Sequence, residues 1–428
     1  MKAVEWRVFL RRARGNGFLR NSMILFVGGM AANILGYFFH LVIGRMVSIE
    51  IYGEVESLVS FMSIISVPAM AITMIATKYA ACSKAENNPT ASREVLVYLN
   101  RKITLYGLPV LFLALLLTPS IRRFLHLESA LPLVLAWVAM WGSFYFAVAG
   151  GILTGWQKFK ASSFSSACGV GAKLFFAILL IKLGFALNGI MGSFLLGALV
   201  SYAVSLFALK GILKKNRLPE KTGCRVEIFS SALLKKDILP VFAGNLAITL
   251  FGYVDMFLAK HNLDPVSAGQ YGALAIVGKI IFFATGVIAT VLFSMAAESN
   301  HKKDNTWKIF QHAAFLMLLV SLAGVTFYFL FPSFALGLLF QDKYTSVSPL
   351  LGWFAILAAA FSFVNLIFQY LLSIQKVRPV LWLSGIALLL PPALLFFGNS
   401  ISAILGITLA FQSLVVFLGL GYLVKQAK

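Results

Sequence analysis

Apolar residues run through this chain in blocks of roughly twenty, separated by short polar turns, from one end to the other. A block of about 20 apolar residues is long enough to cross a bilayer as a helix. A lipid-exposed segment must satisfy its backbone internally, so the pattern predicts an all-α polytopic membrane protein. Twelve transmembrane helices are expected, near 22–46, 55–81, 103–119, 130–154, 161–182, 186–209, 238–260, 268–296, 308–332, 347–373, 379–397 and 400–423. A short turn, Ser48-Ile49-Glu50-Ile51-Tyr52-Gly53, joins the first two, and the second carries Pro68 at its middle. The same plan returns 216–219 residues later: Gly36-Tyr37 is answered by Gly252-Tyr253, and Tyr52-Gly53 by Tyr271-Gly272. Six spans per half is an even number, so both halves start on one side and the repeat is parallel. The expected organisation is a basic interfacial segment at 1–20, a six-helix lobe at 21–209, a basic linker at 210–236 and a second six-helix lobe at 237–428.

Small-residue ridges mark where these helices can approach closely: Gly28, Ala32 and Gly36 in the first span, and Gly189, Ser193, Gly197 and Ser201 in the sixth. Pro68 and the pair Pro391-Pro392 are expected to kink or break their spans.

Composition narrows the class further. Sixty per cent of the residues are apolar and 12% are charged, against about 25% charged in a soluble domain. The net charge of +21 would point to nucleic acid in a soluble protein. Here 28 of the 36 Lys and Arg fall in segments that a cytoplasmic N-terminus would place inside. That bias is the positive-inside pattern, so both termini are expected in the cytoplasm. The basic surface then faces an anionic inner leaflet, and no nucleic-acid partner is expected. At the N-terminus Trp6, Phe9 and Leu10 share a helical face among arginines, as in an interfacial helix. The apolar run after them exceeds the 7–15 or so residues of a signal h-region, so it reads as an uncleaved span.

Catalytic and cofactor signatures are missing. Gly272 to Lys279 imitates a phosphate loop but has one residue too many, is followed by Ile280, and lies inside an apolar helix. No His-Glu-x-x-His occurs, and the three cysteines lack paired metal spacing. No outer loop is long enough for a catalytic domain. The reading is therefore neither an enzyme nor a metal or cofactor protein.

What remains is a set of ionisable groups at membrane depth, each costing about 2.5–3.5 kcal/mol at a helix centre. Lys173 lies on a small, polar face with Ser162, Ser166, Gly169 and Ala177, and Lys279 has a similar setting near Gly272, Ala275 and Gly286. Arg45 and Lys78 lie closer to span ends, where their stems can also snorkel. Asp255 is the one clear acid at this depth, and His40 stands at nearly the equivalent depth in the first half, as a proton-coupling pair would. Two lysines against one aspartate make a site for an anion, and a flexible ammonium suits phosphate as a point charge.

The turn after the first span adds a resemblance. Gly44-Arg45 at a helix end, then Tyr52-Gly53 opening a span with central Pro68, resembles the polysaccharide transporter (O-antigen flippase) family of the multidrug/oligosaccharidyl-lipid/polysaccharide exporter superfamily. The resemblance implies two six-helix lobes around a central cavity and alternating access. It implies movement of an undecaprenyl-pyrophosphate-linked oligosaccharide from the inner to the outer leaflet of a bacterial cytoplasmic membrane. It also implies glycan polymerase or glycosyltransferase partners and a basic cavity. By depth, that basic role falls first on Lys173 and Lys279, then on Arg45 and Lys78. A multidrug/proton antiporter on the same fold is the alternative, and it would depend on Asp255.

Overall fold

The computed structural model describes residues 17–213, 239–302 and 305–427. The expected interfacial segment up to residue 16 and the linker from 214 to 236 lie outside the described residues. Fifteen α-helices occur in the described chain, with no strand. They are α1 (Gly17–Met46), α2 (Ile49–Ile65), α3 (Val67–Ala85), α4 (Pro89–Phe124) and α5 (Leu131–Gly155). Then come α6 (Phe159–Lys182), α7 (Ala186–Leu213), α8 (Leu239–Asn262), α9 (Pro265–Gly278) and α10 (Ile280–His301). The last are α11 (Trp307–Leu330), α12 (Pro332–Phe340), α13 (Leu351–Ser373), α14 (Val377–Phe397) and α15 (Ile401–Ala427), with a 3-10 turn at Gln341–Leu350 between α12 and α13.

Among the described residues, 10 helices are long and apolar enough to cross a membrane, or 11 when α2 and α3 count as one bent span. The remaining expected span, 22–46, coincides with α1, which is 30 residues long. α2 and α3 meet at a 43° bend, where Pro68 withholds its N–H from the ladder. There Ser66 Oγ donates to Ser63 O at 2.7 Å and Ser66 N to Met62 O at 2.9 Å. The paired prolines behave otherwise, since α14 runs through Pro391 and Pro392 without a break.

The described residues divide into two compact units that do not follow sequence order: those that fall within 1–40, 69–119 and 130–228 form one, and those within 41–68, 120–129 and 229–428 the other. In the first unit, the ridge predicted on α7 packs against α6. A Cβ on Gly197 would stand 2.8 Å from Gly169 O, and one on Gly189 2.7 Å from Leu180 Cβ. α3 and α5 are joined the same way: Gly151 and Gly155 lie against the Thr73 and Thr77 carbonyls, and Thr77 Oγ1 donates to Gly151 O at 3.1 Å. The ridge on α1 differs, because a Cβ on Gly36 would meet nothing within 4 Å.

In the second unit the packing centres on α2 with α8 and α9, and on α13. α2 starts at Ile49, six residues before the expected Val55. Ser48 caps it, its side chain accepting from Ile51 N at 3.3 Å. Asp264, 216 residues on, caps α9 through Val266 N and Ser267 N, both at 3.1 Å, with Pro265 at the first helical position. The Ser267 side chain first, then these backbone N–H groups, hold the Asp264 carboxyl below the usual carboxylate range. The repeat register is therefore 216, which pairs Gly53 with Gly269, not with Gly272. These two glycines touch: a Cβ on Gly53 would stand 2.7 Å from Gly269 N, and one on Gly269 2.0 Å from Ile49 O.

Candidate functional site

Four of the five residues that carry the resemblance, all but Pro68, act at this junction inside the second unit. Gly44 makes room for the Phe340 ring, which forms an edge-on aromatic trio with Tyr52 and Tyr344. Arg45 reaches the C-terminal end of α12, its Nε donating to Leu339 O at 2.8 Å and its Nη2 to Leu338 O. Lys343 returns the bond, with Nζ donating to Arg45 O at 2.9 Å and Val47 O at 3.2 Å. Each cation satisfies carbonyls left over at the other's helix end. Arg45 is thus an exposed clamp between helix ends, and the structure does not bring it to the cavity described next.

That cavity lies among α8, α9, α13, α15 and the junction between α9 and α10, and has a volume of about 20 Å³, room for one water-sized group. Its lining includes Asp255, Lys279 and Gln412, with Phe251, Phe354 and Phe361 as apolar walls. Gly252 lets the Phe361 ring close in, since a Cβ there would stand 2.6 Å from Phe361 Cζ. Asp255 is buried, and Tyr271 Oη donates to its Oδ2 at 2.7 Å, while Oδ1 has no hydrogen-bond partner. Gln412 donates from Nε2 to Phe251 O at 3.1 Å, and its Oε1 is likewise unpaired.

Lys279 occupies the break between α9 and α10, so a helix end and a helix start meet at its backbone. Gly278 sets the close approach there, as a Cβ would meet Phe354 O at 2.9 Å. The Val277 carbonyl accepts from Tyr328 Oη at 2.9 Å, which repairs the ladder at a buried site. The Lys279 Nζ stands 4.6 Å from the centroid of the Tyr253 ring. Hence Lys279 and Asp255, both singled out from sequence, line one cavity.

Lys173, Lys78 and His40 fall in the first unit. Lys173, on α6, is half-buried, and its Nζ is held 4.0 Å from the Phe39 ring and 4.5 Å from the Phe194 ring. Those rings pack edge-on at 5.3 Å, giving the ammonium two π faces. His40 lies edge-on to Phe39 at 5.4 Å. Lys78 is exposed on α3.

Sequence reasoning missed the acids of α2. Glu56 is buried, next to Gly272, and Glu54 pairs with Lys260 at 3.3 Å, with Lys260 only 2% exposed. Asp255 is therefore not the only buried acid of the described second unit, whose interior is not purely cationic. The usable signal was Ser48: read as a helix cap rather than as part of a turn, it puts Glu50 and Glu54 on one helical face and Glu56 within the same helix.

With this geometry in place, the fold has known counterparts. An inward-facing multidrug resistance MATE family transporter of the MOP superfamily matches with a TM-score of 0.67 at 16% identity, covering 90% of this chain and 93% of that one. A MOP superfamily transporter from Pyrococcus furiosus, described as having a binding pocket of reverse polarity that suggests a different function, matches with a TM-score of 0.64 at 16% identity. That match covers 95% of this chain and 94% of the other. By sequence, Uncharacterized membrane protein MJ1068 of Methanocaldococcus jannaschii is 25% identical over 357 residues, 76% of this chain and 68% of the relative. The class is thus a polytopic α-helical membrane protein with the MATE fold. Residues 18–299 match the family described as polysaccharide biosynthesis protein, and the chain belongs to that family.

Proposed function

We propose that the protein is a flippase that moves a lipid-linked oligosaccharide, its pyrophosphate joined to undecaprenol, from the inner to the outer leaflet of a bacterial cytoplasmic membrane by alternating access. The observation that carries this reading is the family match over residues 18–299. The MATE fold supports transport rather than polymerisation. Lys173 supports an anionic group in the substrate. Its ammonium sits over aromatic faces on a helix long and apolar enough to cross the membrane, and a phosphate would offset part of the cost of keeping it there. Lys279 is the second ammonium in this proposal. The reverse pocket polarity described for the similar Pyrococcus furiosus transporter fits a change of substrate charge on one fold.

A multidrug/proton antiporter is the second reading, favoured by one observation: Asp255 is buried with one carboxylate oxygen unpaired. Depletion in the native host separates the two. The flippase reading expects lipid-linked glycan to accumulate on the inner leaflet, and normal glycan export with altered drug tolerance would overturn it. Lys173→Ala and Lys279→Ala are expected to abolish export while membrane insertion persists, and full export in both would remove these lysines from the mechanism.

A further inference from the structure

Two acceptor oxygens in the cavity of the second unit lack partners. Asp255 Oδ1 belongs to a residue 3% exposed and Gln412 Oε1 to one 1% exposed. A buried carboxylate oxygen without a donor is costly, so this cavity calls for a water-sized donor, and a positive one also neutralises the carboxylate. Its volume of about 20 Å³ holds one. A cation of that size is already tethered to the wall. Lys279 lines the same cavity, and its ammonium rests on the Tyr253 ring rather than on the carboxylate.

The backbone at Lys279 is also unlike that of an ordinary helical lysine. It is a junction residue between α9 and α10, with ψ at −8°, where small changes re-aim a side chain. The other donor near the carboxylate, the Tyr271 hydroxyl, is engaged with Oδ2 and leaves Oδ1 open.

We infer that Lys279 is a built-in counter-ion. Its ammonium has two resting places inside the second unit: the face of Tyr253, where it stands here, and the pair Asp255 Oδ1 and Gln412 Oε1, where it closes a hydrogen-bonded ion pair. The tethered ammonium takes the place a free alkali-metal ion would fill, so the site needs none. This inference does not depend on which substrate is carried. It predicts that an ion-binding site appears when the lysine is removed.

The test is thermal unfolding of the purified full chain in detergent, in sodium chloride and in choline chloride at equal ionic strength. Wild type is expected to unfold at the same temperature in both salts. Lys279→Met is expected to unfold at lower temperature in choline and to gain several degrees in sodium, because the orphaned oxygens then accept a free ion. The double variant Lys279→Met/Asp255→Asn is expected to lose the sodium response and to be more stable in choline than Lys279→Met alone. Sodium stabilisation of wild type would overturn the inference, as would the absence of a sodium response in Lys279→Met. Should Lys279→Met fail to purify, the yield of the double variant decides: recovery supports the tethered pair, and equal failure overturns it. No readout involves transport, so this result stands apart from that of the depletion experiment.

Discussion

Tyr328 shows how single residues hold a broken helix inside a membrane. The carbonyl of Val277 loses its helical partner at the α9–α10 break, and the Tyr328 hydroxyl supplies the donor at 2.9 Å. Both groups are buried, so no water can substitute. Tyr328→Phe removes only that hydroxyl and is expected to cost about 1–2 kcal/mol, read as lower thermal stability in detergent. An unchanged midpoint would mean that the carbonyl had found another donor. At this scale the sequence was partly legible. Lys173, Lys279 and Asp255 stood out because charge is rare in apolar runs. Tyr328 and Gln412 did not, since a tyrosine or glutamine in a membrane helix carries no charge to betray its partner.

Between elements, the contact that matters most is the one between α2 and α9 at Gly53 and Gly269. Gly269→Ala would drive a Cβ onto the Ile49 carbonyl, 2.0 Å away, with backbone rather than a flexible side chain in the way. Overpacking of this kind costs roughly 1–3 kcal/mol, and the variant is expected to show reduced yield and a lower unfolding temperature. Gly36→Ala, which meets nothing within 4 Å, is the matched control and is expected to be neutral. Here the sequence misled in an instructive way. Gly53, with Glu50 nearby, looked like part of a turn, because glycine inside a helix is usually unfavourable. Its use is steric: it lets two backbones meet. The same glycine fixed the wrong repeat register, since Tyr-Gly recurs at Tyr271-Gly272 while the helix caps Ser48 and Asp264 lie 216 residues apart. The α7 ridge was legible because its small residues follow one helical face over three turns.

For the molecule as a whole, hydropathy gave the class, and the distribution of Lys and Arg gives an orientation that can be measured. A fluorescent protein inserted within 214–238, and another fused after Lys428, are both expected to fluoresce, as cytoplasmic placement requires. Phosphatase activity from a periplasmic reporter at either point would reverse the assignment. The division into compact units was not legible, because sequence order assigns 41–68 to the first half while its contacts lie with 229–428. Periodicity describes each helix's own faces and says nothing about which distant helix covers them.

The reciprocal clamp at the ends of α1 and α12 bears on how the chain is made. Arg45 finds its acceptors 293 and 294 residues further on. At about 5–20 residues per second, a ribosome needs on the order of 15–60 s to deliver them. Glu54 waits 206 residues for Lys260 and Glu56 waits 216 for Gly272, so for most of that interval the nascent α2 must be shielded by lipid headgroups, the insertion machinery or a chaperone. A hairpin made well before α12 is thus finished only once α12 has arrived.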